Sequence, residues 1–469
     1  MSEHRFDVVV VGGGPAGEVA AGTLGQAGLA VALVESHLIG GECSYYACMP
    51  SKGLLRPAEA LAEARRIPGA AEAAAGDLDI EAVLRRRDEI VHGLDDSGQI
   101  QWLDDRNVAV FRGHGRLDGE RRVRVGDDLL LADRAVVVAV GTASVMPDIP
   151  GLAEARPWTN RDATTAGSVP ERLLVIGGGV VGVELAQAWA SLGSQVTLIE
   201  LFERILVREE PFASEEVDAS LRSRGVDVRT SSEAVRVGRT GGSVTVELAD
   251  GGRVSGDELL VAIGRRPLTD DLGLETVGLE PGAPIEVDDG MRVAGSAWLY
   301  AIGDVNGRAL LTHMGKYQAR IAAQNIVGGD ASVARPAQGA LAPRVVFTDP
   351  QVAAVGHTLE SAQKQGFAAV AIDHPTAGIA GSSFYGRNAP GTTRLVFDAG
   401  RDVLVGATFV GPEVAELLHA ATIAIVAEVP AARLAHAVPA FPTRSEIWLR
   451  LLEKYEARAA STSPARDVA

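Results

Sequence analysis

The chain has 469 residues, 46% of them hydrophobic and 22% charged, and carries a formal net charge of −17. This length predicts about three domains of ordinary globular composition. The acidic balance argues against a nucleic acid or an anionic membrane surface as partner, because phosphate-binding surfaces need clustered Lys and Arg. The N-terminus has no apolar core of signal-peptide length, and the longest apolar runs are strand-sized. We therefore expect a cytoplasmic protein without membrane insertion.

The first predicted element is an apolar strand that leads directly into a glycine-rich turn. The turn contains Gly12, Gly14 and Gly17, and the next predicted strand ends at Glu35. In this pattern the first glycine permits a tight turn, the second lets the backbone approach a pyrophosphate, and the third lets helix and strand pack closely. The acid accepts hydrogen bonds from ribose hydroxyls. The spacing therefore predicts a dinucleotide site at a helix N-terminus.

The same pattern occurs a second time. Gly177, Gly179, Gly182 and Glu200 each lie 165 positions after their counterparts in the first copy. One such motif alone is weak evidence, whereas two copies with the same spacing are a strong signal for two dinucleotide sites. Glu200 would repel a 2′-phosphate, which favours NADH over NADPH, although the nearby Arg204 could weaken that preference.

The two cysteines of the chain, Cys43 and Cys48, lie five residues apart. A structural disulfide framework uses more cysteines and belongs to secreted proteins. Two thiols without a neighbouring histidine also make a poor metal site, so we predict no metal ion. Spacing alone leaves two interpretations open, a redox-active pair and two unrelated core cysteines.

The segment from Gly40 to Lys52 reads GGECSYYACMPSK. It resembles the GGxCxxxxCxPSK signature of the class I pyridine nucleotide–disulfide oxidoreductases, the family of dihydrolipoamide dehydrogenase, glutathione reductase and mercuric reductase. Further resemblances cover nearly the whole chain. They include AVGT ending at Thr142, AIGRRP ending at Pro267 and LYAIGD ending at Asp304.

The resemblance implies an α/β fold with two Rossmann-like dinucleotide-binding domains and a C-terminal α+β dimerisation domain that forms a homodimer. We expect an FAD-binding domain at 1–150 and 275–340, an NAD-binding domain at 151–274, an interface domain at 341–456 and a disordered tail at 457–469. Beyond the two glycine motifs, the implied cofactor-binding residues are Gly41, Lys52, Gly115, Gly141, Gly264 and Asp304.

The resemblance also assigns roles around the cysteine pair. NADH would reduce FAD, and Cys48 would be the thiol on the flavin side of a redox-active disulfide with Cys43. Cys43 would then be the interchange thiol that meets a small-molecule acceptor. Lys52 would lie near the flavin, with Glu184 as its partner, and would help to hold Cys48 as a thiolate.

The chain departs from the family near its C-terminus. The family motif HPTxSE supplies a histidine acid–base group across the dimer, whereas this chain has Phe441 at that position and retains Glu446 as a catalytic candidate. Phenylalanine cannot transfer a proton. A positioned acid–base group contributes about 10²–10⁴-fold, so exchange at Cys43 should be slow. His436 and His419 could substitute, although surface or packing roles fit both better.

The loop between the cysteines also differs from the family, which usually has Asn and Gly there. Tyr45, Tyr46 and Ala47 stand at these positions. The aromatic rings could pack below the flavin or, together with Phe441, make a narrower and more apolar entrance. The second arrangement would suit a planar hydrophobic acceptor such as a quinone.

Four functions remain open from the sequence. The first is an NADH-dependent reductase of disulfides or related thiol-reactive acceptors. The second is a quinone or dye reductase that acts directly from the flavin. The third is a carboxylase or C–C cleaving enzyme similar to the ketopropyl-coenzyme M carboxylases. These enzymes also carry Phe where the other family members have the acid–base histidine. The last is a redox sensor or binding subunit without catalytic turnover.

Overall fold

The computed structural model describes residues 2–386, 389 and 391–462. Strands form three main sheets and two smaller ones. In chain order the strands are β1 Ser2–Val11, β2 Val31–Glu35, β3 Val108–Arg112, β4 Gly115–Leu117, β5 Arg122–Val125, β6 Asp128–Val138, β7 Thr142–Ser144, β8 Arg172–Ile176, β9 Gln195–Ile199, β10 Asp227–Arg229, β11 Ala234–Thr240, β12 Ser243–Leu248, β13 Arg253–Gly256, β14 Glu258–Val261, β15 Arg265–Pro267, β16 Leu299–Ala301, β17 Arg344–Val346, β18 Gln351–Gly356, β19 Ala369–Pro375, β20 Thr392–Asp398 and β21 Val403–Gly411.

Helices pack against the parallel sheets and against both faces of the C-terminal sheet. In chain order they are α1 Pro15–Gln26, α2 Gly41–Tyr45, α3 Cys48–Arg66, α4 Ile80–Ile90, α5 Ser97–Asp104, α6 Leu152–Ala155, α7 Asn160–Thr165, α8 Val180–Ser191, α9 Pro211–Ser223, α10 Thr312–Ile326, α11 Leu359–Lys364, α12 Leu418–Val426, α13 Ala431–Leu434 and α14 Glu446–Thr462. Among the described residues, no helix combines the length and apolar character needed to cross a bilayer.

The first sheet has the strand order β3-β2-β1-β6-β5-β4, and β16 pairs with β6. Strands β1, β2, β3, β6 and β16 are parallel where they pair. The run Val8–Val11 at the end of β1 is almost fully buried, as is usual for a parallel strand with both faces covered. Because β16 returns to this sheet late in the chain, residues from two distant segments meet at its carboxyl edge.

The second sheet repeats the central part of the first. Its order is β10-β9-β8-β14, and all its pairs are parallel. The helix α8 follows β8 as α1 follows β1. The antiparallel sheet β11-β12-β13 packs against it through a separate apolar cluster that includes Leu174, Val246 and Leu259. The two predicted Rossmann-like units are therefore both present.

The C-terminal sheet is antiparallel, in the order β17-β18-β21-β20-β19. Helices α12 and α14 contribute Leu418, Ala421 and Leu451 to the core that covers it. These three units confirm the predicted α/β fold class with a C-terminal α+β domain. The predicted domain boundaries stay predictions.

The predicted disordered tail requires a correction. Helix α14 continues from Glu446 to Thr462, so residues 457–462 are helical. Alanine-rich sequence has the strongest helix propensity. The rest of the predicted tail, 463–469, lies outside the described residues.

Candidate active site

The first glycine motif forms an open turn at the N-terminus of α1. Gly12 has φ +104°, a backbone conformation that favours glycine. A Cβ atom at Gly17 would collide with the carbonyl oxygen of Gly12, whereas one at Gly14 would meet nothing within 4 Å. No side chain caps α1, so its first N–H groups point into this open space. The turn therefore fits the pyrophosphate of a dinucleotide.

The second motif repeats this geometry. Gly177 has φ +112°, a Cβ atom at Gly182 would collide with the Gly177 carbonyl oxygen, and the space beside Gly179 is open. The helix α8 also begins without a side-chain cap. The structure therefore has two equivalent glycine-rich turns, 165 residues apart, whose geometry fits a phosphate group.

Both acids at the ends of the second strands are held by backbone N–H groups. Glu35 accepts from Gly13 N at 2.6 Å and from His37 N at 2.7 Å. Glu200 makes the equivalent bonds to Gly178 N at 2.5 Å and Phe202 N at 2.8 Å. Each carboxylate oxygen retains a lone pair that can accept from a ribose hydroxyl.

Arg204 follows the second acid in a short loop. Its guanidinium donates to the carbonyl oxygens of Leu206, Val207 and Glu209 at 2.9–3.2 Å. These bonds direct it into its own loop, which reduces its capacity to bind a 2′-phosphate.

Two further predicted cofactor residues lie next to the first turn. A Cβ atom at Gly41 would lie 2.8 Å from Gly14 Cα, and Gly40 N donates to Gly13 O at 2.8 Å. The segment that carries the cysteines is thus fixed to the first phosphate-binding turn. Gly115 lies close to the ends of β1 and β2, because a Cβ atom there would be 2.9 Å from Val11 and Val34 side chains.

Asp304 lies after β16, at the same edge of the first sheet. It accepts from Thr142 Oγ1 at 3.0 Å, and burial raises the pKa of its carboxyl group. Gly141, which precedes Thr142, and Gly264 both have positive φ and open space where a Cβ would be. Arg265, next to Gly264, donates to Thr142 Oγ1 at 2.7 Å. These predicted residues therefore belong to one connected region.

The cysteine pair spans the junction between α2, which contains Cys43, and α3. Cys48 is the first residue of α3, and both cysteines are free thiols. A hydrogen bond from Cys43, supported by the Thr312 hydroxyl and the charge of Lys52, lowers the pKa of Cys48 to about 6 against the effect of burial. The same hydrogen bond and burial raise the pKa of Cys43. The structure therefore favours a thiolate at Cys48 and a thiol at Cys43.

Lys52 lies one helical turn after Cys48 and forms the expected ion pair. Its Nζ is 2.6 Å from Glu184 Oε2, and the Glu184 side chain is only 4% exposed. Two contacts were not predicted from the sequence. Glu184 Oε1 accepts from Phe347 N at 2.8 Å, and Lys52 Nζ lies 4.7 Å from the centre of the Phe347 ring. The ion pair is therefore held from the C-terminal unit as well.

Thr312 is another functional candidate that the sequence did not reveal. Its Oγ1 lies 3.4 Å from Cys48 Sγ, at the first residue of α10. The N-terminus of a helix stabilises a nearby negative charge, so both the hydroxyl and the helix favour the Cys48 thiolate. A single threonine at the start of a helix has no distinctive sequence signal.

The two tyrosines of the cysteine loop have separate environments. Tyr45 is buried, and its hydroxyl donates to Gln99 Oε1 at 3.0 Å, in α5. Tyr46 packs beneath the guanidinium of Arg161 and accepts at its carbonyl oxygen from Asn160 at 2.9 Å. These contacts attach the loop to neighbouring helices of the same subunit.

The C-terminal candidates are not brought to the cysteine pair of the same subunit. Phe441 is 78% exposed. Glu446 is buried, and its Oε1 accepts from Thr443 N and Gly381 N at 2.9 and 3.0 Å. His419 and His436 are exposed. Glu446 therefore supports the backbone at the start of α14 within this subunit.

Comparison with known proteins gives two family matches. The model described as pyridine nucleotide-disulphide oxidoreductase matches residues 6–325, and the corresponding dimerisation-domain model matches residues 342–451. The first match covers more than half of the chain. The second supports a homodimer.

The relatives include two curated enzymes and one solved structure. The chain is 32% identical to a dihydrolipoyl dehydrogenase of Zymomonas mobilis, over 95% of this chain and 97% of that protein. It is 34% identical to a mercuric reductase of Acidithiobacillus ferrooxidans, over 90% and 77%. It also resembles the Cu(II) complex of RclA, a HOCl-induced flavoprotein disulfide reductase of Escherichia coli, with TM-score 0.84 and 26% identity over 95% and 99%.

Proposed function

Because the chain belongs to the pyridine nucleotide–disulphide oxidoreductase family, whose members are enzymes that use FAD and NAD(P)H, we propose that it reduces a small disulfide or another thiol-reactive acceptor with electrons from NADH. The first glycine motif would hold FAD and the second NADH. When bound, FAD supplies the two-electron relay between NADH and the cysteine pair.

The observation that carries this proposal is the difference between the two thiols. Cys48 has a pKa lowered to about 6, chiefly by the hydrogen bond from Cys43, and lies beside Thr312 and the Lys52–Glu184 pair. Cys43 has a raised pKa. A thiolate on one side and a thiol on the other suit a dithiol that accepts electrons through Cys48 and delivers them through Cys43.

The remaining side chains would orient the cofactors. Asp304, held by Thr142, would accept from hydroxyl groups of the FAD chain, and Glu35 from the FAD ribose. Glu200 would accept from the NADH ribose. The bonds of Arg204 to its own loop support a preference for NADH over NADPH.

An anaerobic titration of the FAD-loaded protein with NADH tests the proposal. A long-wavelength absorbance band, which reports a thiolate beside oxidised flavin, should develop after two electrons have been added. Cys43→Ser should remove turnover of disulfides such as lipoamide or oxidised glutathione. A protein that shows no such band, or that reduces disulfides equally well without Cys43, would contradict this function.

The second candidate is a quinone or dye reductase that acts directly from FAD. It is favoured by Phe441, an exposed residue without a titratable group where the family has its acid–base histidine. In Cys43→Ser, turnover of a quinone should persist under this alternative while disulfide turnover disappears. The acceptor screen should contain disulfides, quinones and thiophilic metal ions, so that the three classes are compared on one preparation.

A further inference from the structure

Helix α7 holds the loop between the two cysteines from outside. Asn160, the first residue of α7, donates from Nδ2 to the carbonyl oxygen of Tyr46 at 2.9 Å and to Glu42 Oε2 at 2.8 Å. Thr164, four residues later, donates from Oγ1 to the same carbonyl oxygen at 2.9 Å. Residues at i and i+4 lie on the same face of a helix, so this face of α7 contacts the loop. The carbonyl group that it holds lies two residues before Cys48.

The side-chain amide of Asn160 uses its whole hydrogen-bonding capacity. The residue is only 5% exposed, and its Oδ1 accepts from Ser144 Oγ at 2.9 Å and from Arg265 Nη1 at 3.2 Å. With the two bonds from Nδ2, both donor hydrogens and both acceptor lone pairs are used. The opposite amide orientation would direct the NH2 group at the Arg265 guanidinium, which can only donate. A buried and fully satisfied group of this kind holds a single arrangement.

Helix α7 is anchored to two parts of the subunit. Ala163 is fully buried in the apolar cluster of the second parallel sheet, together with Leu173 and Leu260. From the other side, the buried guanidinium of Arg87 in α4 donates to Thr164 O at 2.6 Å. A shift of α7 would break these contacts. The helix is therefore a rigid support for the cysteine loop.

The hydrogen bonds of Asn160 continue to the predicted flavin site. Arg265 Nε donates to Thr142 Oγ1 at 2.7 Å, and Thr142 Oγ1 donates to Asp304 Oδ2 at 3.0 Å. The cysteine loop is thus connected through Asn160 to the carboxylate that would contact FAD. This connection restricts movement of the loop relative to Asp304.

We propose that Asn160 is a positioning residue for the redox pair of Cys43 and Cys48. By holding Glu42 and the Tyr46 carbonyl group, it restricts the loop that joins the two cysteines and keeps them at a separation from which their disulfide closes. This inference rests on the proposed function, in which the pair alternates between dithiol and disulfide. Disulfide bonds have narrow limits of geometry, so a loop that is already restricted favours closure.

Loss of the Asn160 amide should shift the equilibrium of the pair toward the dithiol. In a restricted loop the two sulfur atoms have a high effective concentration, and a looser loop lowers it. Asn160→Ala removes the bonds to the loop, but the Tyr46 carbonyl group keeps its bond from Thr164, and Glu42 keeps its bond from Arg161. We expect the loss of about one net hydrogen bond of restraint, which corresponds to roughly a five- to tenfold lower equilibrium constant for disulfide formation.

The test equilibrates the FAD-loaded protein anaerobically with mixtures of reduced and oxidised dithiothreitol. The exchange breaks one disulfide as it forms another. The chain has only two cysteines, so mass spectrometry after alkylation counts the thiols of the pair directly. Half-oxidation of Asn160→Ala should require roughly a five- to tenfold higher ratio of oxidised to reduced dithiothreitol than half-oxidation of the wild type.

Two threonines of α7 give a second variant and its matched control. Thr164→Val removes one donor to the Tyr46 carbonyl group with little change of shape, and should shift the ratio in the same direction by a smaller factor. The exposed Thr165 donates to Arg161 O within α7, so Thr165→Val should leave the ratio unchanged. If Asn160→Ala retained no FAD, Thr164→Val would decide the question.

The pH midpoint of the long-wavelength band separates positioning from a change in the ionisation of Cys48. Thr312 and Lys52 favour the Cys48 thiolate, and both remain in Asn160→Ala. The midpoint should therefore stay within about 0.2 units of the wild type. A midpoint that moved together with the dithiothreitol ratio would overturn the inference, because the effect would then be on the charge of Cys48.

Two further results would overturn it. One is a half-oxidation ratio in Asn160→Ala within about twofold of the wild type. The other is an equal shift in Thr164→Val and Thr165→Val, because any disturbance of α7 would then have the same effect. The equilibrium needs neither NADH nor an acceptor. If the wild type turned over no disulfide while the ratios differed as expected, the proposed function would fail and the role of Asn160 would stand.

Discussion

The hydroxyl of Thr312 should decide how much of Cys48 is ionised at neutral pH. It lies 3.4 Å from Cys48 Sγ, and Thr312→Val removes it with little change of shape. A hydrogen bond to a charged group contributes about 1.5–3 kcal/mol. The long sulfur contact should be at the low end of that range, which corresponds to about one pKa unit.

The expected change follows from the pKa of Cys48, which the hydrogen bond from Cys43 and the Thr312 hydroxyl lower to about 6. Because this pKa is lowered, the thiolate is present above about pH 6 and is lost as the pH falls through that value. At pH 7 the wild type should be roughly 90% thiolate, and the variant, with its midpoint near 7, roughly half.

The assay is an anaerobic pH titration of the long-wavelength absorbance band in the two-electron-reduced, FAD-loaded protein. Thr312→Ser keeps the hydroxyl and should restore the wild-type midpoint. Thr422→Val is a control in α12, where the threonine hydroxyl bonds to Leu418 O of its own helix. A midpoint in Thr312→Val that coincides with the wild type would show that the Thr312 hydroxyl does not stabilise the thiolate.

The duplicated turns and the ion pair give further predictions. Gly17→Ala should yield protein that retains little FAD, and Gly182→Ala should retain FAD but bind NADH weakly, because the added methyl groups collide with the turns. Overpacking costs about 1–3 kcal/mol, or roughly 5–150-fold in affinity. Flavin absorbance after gel filtration measures the retained FAD, and the dependence of the NADH oxidation rate on NADH concentration measures NADH binding. Lys52→Met should raise the pH midpoint at which the long-wavelength band of the Cys48 thiolate appears, and Glu184→Gln should lower it. The charges of Lys52 and Glu184 act on the pKa of Cys48 in opposite directions.

The two glycine-rich turns could be predicted from the sequence because their requirements are local. A side chain at Gly17 or Gly182 collides with a backbone oxygen five residues earlier in the same turn, so each glycine is fixed by its immediate neighbours. The acids Glu35 and Glu200 are held by backbone N–H groups at equivalent distances along the chain. Local constraints of this kind leave a recognisable spacing, and the repeat at 165 residues makes it specific.

The other half of the site could not be predicted from local spacing. Thr312 contacts Cys48 from 264 residues away, and the Phe347 backbone contacts Glu184 from 163 residues away. Both contacts depend on how separate units pack together, and neither position stands in a periodic pattern. The helical tail was also missed, because an Ala-rich composition is compatible with either disorder or a helix that extends from a packed start such as α14.

The two sulfur atoms of the pair therefore depend on different parts of the chain. Within one subunit, the Thr312 hydroxyl and the Lys52 ammonium group both favour the Cys48 thiolate. At Cys43, a C-terminal segment from a second subunit would bring the phenyl ring of Phe441, which can exclude water but cannot accept a proton.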